Sequence, residues 1–220
     1  MSRTLFDVLK EVIRGPLPAS VLPATPEEYQ VYNPLKLLVG QKLTIDRLDY
    51  RDVAYEVVAL NVLTRTIDGR KRVTMDYVLD AGKGRNFRLR YHDDCILLLS
   101  FLLSCKHKEA QESGLNKAAG NEEFIVTKED SEVTYYRMQA KENEPWAASV
   151  TYMVDEDGNG TVERREVSLY DIHYWDYHTK IEDEAGQQYL EYLFIERTKY
   201  DWYWELWTGF EINPENVEVL

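Results

Sequence analysis

The chain is short of the features that mark most function classes. It has two cysteines in 220 residues, Cys95 and Cys105, and they flank an apolar run rather than punctuate loops. A secreted fold stapled by disulfides uses more, so both read as reduced, buried thiols in a cytoplasmic protein, too few to make a zinc site of their own. Long apolar stretches are missing too. The longest, Cys95 to Cys105, is interrupted by serine and reaches about half of the ~20 residues that a membrane-spanning helix needs. At the N-terminus Arg3, Asp7, Lys10, Glu11 and Arg14 break up the apolar residues, which excludes the uninterrupted core of a secretory signal. There is no phosphate-binding glycine loop, no Gly-x-Ser-x-Gly elbow, no His-Glu-x-x-His and no Cys-x-x-Cys, so the usual grounds for proposing an enzyme are absent.

Positive charge is scarce in one half only. The net charge is −13. Residues 1–110 hold 17 Lys/Arg and 14 Asp/Glu, a balance of +3, and residues 111–220 hold 9 and 25, a balance of −16. An acidic surface opposes binding to nucleic acid and to anionic lipid. The basic residues Arg65, Arg70, Lys71, Arg72, Lys83, Arg85, Arg88 and Arg90 are interleaved with Asp68, Asp76 and Asp80. Their expected use is pairing with the acidic second half.

Proline is concentrated. Five of the seven prolines, Pro16, Pro18, Pro23, Pro26 and Pro34, fall within residues 15–34. Because proline locks φ and cannot donate to a ladder, this segment reads as an extended linker. It follows an amphipathic helix expected within residues 1–14, where Leu5, Phe6, Val8, Leu9, Val12 and Ile13 share one face.

From Leu37 onward the chain reads as strands. Gly40 to Asp46 alternates, and Tyr55 to Leu63 is rich in β-branched residues. Turn signals at Asp68-Gly69 and around Gly82 punctuate Arg72 to Leu79 and Asn86 to Tyr91. Residues 95–113 leave helix and strand both open, since a continuous apolar run has no telling period. Further candidate strands fall at 123–128, 132–139, 148–154, 161–170, 172–178, 188–197 and 201–210. The expected fold class is mainly β, a β-rich α+β chain. Two related meander or barrel-like β modules, 35–113 and 123–220, are separated by a loop at 114–122 and preceded by the N-terminal amphipathic helix.

Three groups of residues carry chemistry. Asp155 to Glu166 satisfies the twelve-residue calcium-loop pattern. Asp155, Asp157 and Asn159 supply side-chain oxygens, Gly160 the turn, Thr161 a carbonyl and Glu166 two oxygens. Ca²⁺ is the one cofactor for which the sequence offers a place. The flanks, Ala148 to Val154 and Val167 to Tyr174, alternate like strands, so the competing reading is a β-hairpin tipped by Asp-Gly-Asn-Gly. Asp171 and His173, and Asp176 and His178, form two carboxylate–imidazole pairs on opposite faces of one strand. The densest aromatic stretch, Tyr200 to Trp207, offers Trp202, Tyr203, Trp204 and Trp207 as a protein-binding surface, unless that strand is buried between two layers.

The phrases Val39-Gly40-Gln-Lys-Leu-Thr, Tyr55-Glu-Val-Val and Asp76-Tyr-Val-Leu-Asp, with Trp175-Asp-Tyr, Glu191-Tyr-Leu and Gly209-Phe-Glu-Ile, resemble bacterial β-rich domains of unknown function encoded near phage-shock-type membrane-stress genes. The resemblance spans most of the chain after Pro34 and implies an accessory or scaffold role with no catalytic residues. The leading expectation is therefore a non-enzymatic interaction module with a protein partner, no nucleic acid and no membrane span. A calcium-binding protein and an acidic inhibitor or immunity-type protein are the alternatives. Nothing in the sequence sets the oligomeric state.

Overall fold

A computed structural model describes residues 35, 37–46, 53–67, 70–82, 86–92, 95–128, 131–138, 146–154, 162–166, 172–182, 186–198 and 203–220, with 64–67, 70–72, 86, 92, 128, 146–154, 162–166, 174 and 198 described as backbone. The expected helix over 1–14 and linker over 15–34 lie outside these residues. Among the described residues thirteen strands join one sheet. In chain order they are β1 (Lys42–Ile45), β2 (Ala54–Ile67), β3 (Arg70–Asp80), β4 (Asn86–His92), β5 (Cys95–Lys106), β6 (Glu123–Lys128), β7 (Ser131–Arg137), β8 (Trp146–Val154), β9 (Val162–Glu166), β10 (Ile172–Glu182), β11 (Gln188–Thr198), β12 (Tyr203–Glu211) and β13 (Val217–Val219). Two short helices, α1 (His107–Glu112) and α2 (Leu115–Ala118), separate β5 from β6. The chain is mainly β. None of its described helices is long and apolar enough to cross a membrane.

The sheet runs β13-β1-β2-β3-β4-β5-β12-β11-β10-β7-β6. Strand β8 then bridges two distant members. Its residues from Ala148 to Met153 pair with β2, and Trp146 and Ala147 pair with β10. Strands β2, β3, β4, β5, β12, β11, β10 and β8 therefore form a closed antiparallel ring of eight. A ring of that size has an interior that side chains just fill. Leu63 of β2 packs in one cluster with Leu97 and Leu99 of β5, Tyr192 and Phe194 of β11 and Trp207 of β12. Strand β2 is not adjacent to any of these strands, so the cluster crosses the interior.

Residues expected to form two modules thus belong to one compact unit, Leu38–Leu220. Segments 35–113 and 123–220 interleave through the β1–β13, β2–β8 and β5–β12 pairs. The expected loop at 114–122 contains α2.

Local chemistry explains the elements. The ambiguous apolar run is a strand with both faces covered, from Ile96 to Leu99, which is why it shows no alternation. It gives way to α1, where the Glu109 carboxylate accepts from the backbone N–H of Lys106 at 2.7 Å and satisfies a helix-end donor. Between β3 and β4, Asp80 accepts from the Gly82 N–H at 2.7 Å, and Gly82 takes a φ of +70°. That turn supplies the reversal that its residue types announce. A second core lies on the outer face of β10–β12. There Trp204, Leu206, Leu193, Ile195, Tyr177 and Tyr135 pack with Ala110 of α1 and Phe124 of β6.

Closure brings β12 hard against β5 at Gly209. A Cβ there would run into the Leu98 carbonyl oxygen and lie 2.7 Å from Leu99 Cδ2. Gly209→Ala should lower the thermal midpoint by about 5 °C, since such overpacking costs ~1–3 kcal/mol and each kcal/mol moves a domain of this size by about 2–4 °C. An unchanged midpoint in a melting scan would refute the close approach.

Candidate functional site

The interior of the ring carries charge. Alternation along β4 puts Arg88 and Arg90 on its inner face, two residues apart. Asp76 of β3 stands directly opposite Arg90 in the ladder. Arg90 donates from Nε to Oδ1 and from Nη2 to Oδ2 of Asp76, a two-point contact, and Nη2 also reaches Glu196 Oε1 of β11. Arg88 donates from Nη1 to Glu196 Oε2 and from Nη2 to Glu205 Oε2 of β12, each at 2.9 Å. Trp207 Nε1 donates to the same Glu205 oxygen at 3.1 Å. The guanidiniums also lie over aromatic rings, Arg88 at 3.8 Å from Trp207 and Arg90 at 4.5 Å from Phe194. Arginine suits this place because its planar fork serves two carboxylates and a ring face at once.

Removing charges from water costs several kcal/mol per ion unless partners compensate. Here two cations meet three carboxylates. Burial raises the Glu196 carboxyl, but Arg88 and Arg90 outweigh it and hold the group at about 2, against an ordinary 4.5. Burial opposes the charged form of Arg88 as well, and Glu196 and Asp76 overcome it, so its pKa is raised. The basic first half does pair with the acidic second half: Arg88 and Arg90 lie on one side of the charge divide, Glu196 and Glu205 on the other.

A second polar–aromatic group lies on the outer face, where β10, β11 and β12 meet α1. Trp204 stacks parallel to Trp175 at 5.5 Å. Its Nε1 donates to His107 Nδ1 at 3.3 Å. Arg197 reaches His173 Nδ1 at 2.7 Å, and burial lowers its pKa. His173 is thus on the outer face, while Asp176, buried, and His178 lie on the inner one. Asp171 lies outside the described residues. Among those residues no group of three or more His, Cys, Asp and Glu is placed to hold a metal ion.

Of the calcium-loop candidates, Asp155, Asp157, Asn159 and Thr161 lie outside the described residues. Glu166 is on β9, opposite Thr151 of β8. The loop's flanks are these two strands, with Val154 paired to Val162, and not the two helices of an EF-hand. Of the aromatic candidates, Trp202 lies outside the described residues and Tyr203 is 42% exposed. Trp204 and Trp207 are buried, at 1% and 3%, and so offer no contact surface. Strand β12 runs between β5 and β11, so one tryptophan enters the outer core and the other the ring interior.

Besides Tyr203, and Leu102 and Leu103 of β5, a further group of apolar side chains is exposed. Ile125 of β6, Tyr136 of β7 and Leu190 of β11 lie on one face of the sheet, as the registers Ile125↔Thr134, Tyr136↔His178, His178↔Tyr192 and Lys180↔Leu190 require. Met138 follows two residues after Tyr136, its N–H donating to the Asp176 carbonyl. Ile125 and Tyr136 are 56% and 52% exposed, and the reverse face of the same strands is core. Their sequence neighbourhoods show ordinary strand alternation, with nothing to mark an apolar position as outward.

Fold and site together define a closed antiparallel β-barrel with a charge-paired interior and an exposed apolar sheet face. Comparison of the chain with protein-family models, with curated proteins and with solved structures finds no match.

Arg90→Met leaves Asp76 and Glu196 buried with one cation fewer and should cost ~3–5 kcal/mol, whereas Glu205→Gln, at a half-exposed site, should cost about 1 kcal/mol or less. Urea melts that rank the two equally would contradict the network. Acid dependence follows from the sign of the Glu196 shift. Its folded pKa is depressed, so its contribution is complete above about pH 4.5 and disappears as pH falls towards about 2. Between those values the stability of Glu196→Gln should fall less steeply than that of the parent; parallel curves would rule the assignment out.

Proposed function

We propose that this chain is a non-enzymatic protein-interaction module of an accessory or scaffold kind, as its resemblance to bacterial β-rich domains implies, and that it works in the cytoplasm, as its low cysteine content favours. The observation that carries the reading is the exposed face formed by Ile125, Tyr136, Met138 and Leu190 on strands whose other face is core. Aromatic and aliphatic side chains grouped on a rigid sheet make a contact surface with little ordering cost. The acidic balance of residues 111–220 favours a partner with basic residues at the rim of its contact. The ring interior supports the same reading, since its charges are turned on one another and its aromatics cover them.

A photo-reactive side chain at Tyr136 should give a discrete heavier adduct when irradiated in cells. The same group at Lys108, an exposed position on α1, should not. Met138→Asp and Leu190→Asp should abolish the adduct without changing the far-ultraviolet spectrum. Equal labelling from positions 136 and 108 would defeat the proposal, as would an adduct indifferent to both substitutions.

A further inference from the structure

We infer that the chain pairs with a second copy of itself through the outer edge of β6, making two sheets one. Hydrogen-bond parity decides which backbone groups of β6 point outward. The N–H of Arg137 donates to the Glu122 carbonyl at 2.8 Å, and the β6–β7 register continues with Phe124 opposite Tyr135 and Val126 opposite Val133. Residues that exchange hydrogen bonds alternate along an antiparallel pair. Glu122, Phe124 and Val126 therefore aim their backbone groups at β7, and Glu123, Ile125 and Thr127 aim theirs away. Strand β6 is last in the strand order, and among the described residues no strand pairs with that outer edge. An edge of this kind is a template for another strand.

Symmetry and charge choose the occupant. A two-fold axis relating antiparallel neighbours stands normal to the sheet, so paired residues must share a face and their numbers must sum to an even value. Centring the axis on Ile125 sets Ile125 against its own copy and Glu123 against Thr127, twice. All three outward residues on each strand then exchange both hydrogen bonds. The same register places position 122 opposite position 128, a glutamate against a lysine at each end of the join. Moving the axis to Val126 sets Phe124 opposite Lys128 and takes Glu123 beyond the end of the partner's β6; moving it to Phe124 loses Thr127 in the same way. The chosen register brings the two exposed Ile125 side chains together and joins the two apolar faces into one. The contact closes on itself, whereas β6 against β13, at the other end of the sheet order, would propagate without closing.

The inference uses the same corner of the sheet as the interaction reading, and names a second copy as the occupant and the backbone edge as the contact. The test is the solution mass of the full chain by sedimentation from low to high micromolar concentration. The parent should move from monomer towards twice that mass. Ile125→Pro removes the central outward N–H and no bond to β7, so it should remain monomeric with a thermal midpoint close to the parent's. Ile125→Lys is the second edge variant, should the proline not fold. Lys128→Glu should weaken association about tenfold, and adding Glu122→Lys should restore it. A parent that stays monomeric throughout, or edge variants that dimerise as the parent does, would overturn self-pairing. If the crosslink from position 136 then persists to a different protein, the interaction reading stands alone. A dimer sensitive to both edge variants, with no such crosslink, sustains self-pairing and removes the other.

Discussion

One contact sets the terms for the rest: the fully buried guanidinium of Arg90, held between Asp76 of β3 and Glu196 of β11. Sealing an arginine inside protein is tolerable only when carboxylates meet it with correct geometry. Here one carboxylate comes from its ladder neighbour and the other from a strand three places further round the ring. Arg90 therefore cannot be neutralised in full until β4, β5, β12 and β11 are assembled. Arg88 repeats the logic one pleat along, adding Glu205 and the face of Trp207. The network makes closure of the ring a condition for satisfying its own interior, and Leu63, Leu97, Leu99 and Phe194 supply the apolar packing around it.

This arrangement explains what a reading of the residues reaches and what it misses. Strand character was legible because Ala54 to Val57 alternate exposed and buried, and Asp80 with Gly82 marks a turn by residue type alone. Partner choice was not legible. Alternation states that a residue faces a core without stating which strand lies beside it, so two runs of hairpins read as two modules. The pairs that merge them, β5 with β12 and β2 with β8, join positions about a hundred residues apart. The apolar run from Ile96 to Leu99 was opaque for a related reason: a strand covered on both faces has no period to read.

At the level of the site, the charge divide between the halves was visible, and pairing across it followed. That Arg88 and Arg90 would be turned inward depended on the register of β4 against β3, which composition does not encode. Trp204 and Trp207 misled because density of aromatics looks the same in a contact face and in a central strand. Burial on both sides of β12 separates the two. The exposed face at Ile125 and Tyr136 lacked any signal, since its residues belong to strands whose other face is core. The barrel thus pairs the charges of its interior with one another and leaves Ile125, Tyr136 and Leu190 exposed at one end of the sheet.

Native-state hydrogen exchange tests the closed ring most directly. If the Arg90 network binds both halves into one cooperative unit, amides of β4, β5, β11 and β12 should exchange with a common opening free energy that falls together as denaturant is added. Protection that separates into two sets, one over residues 38–106 and one over 123–220, each with its own opening energy, would contradict the account.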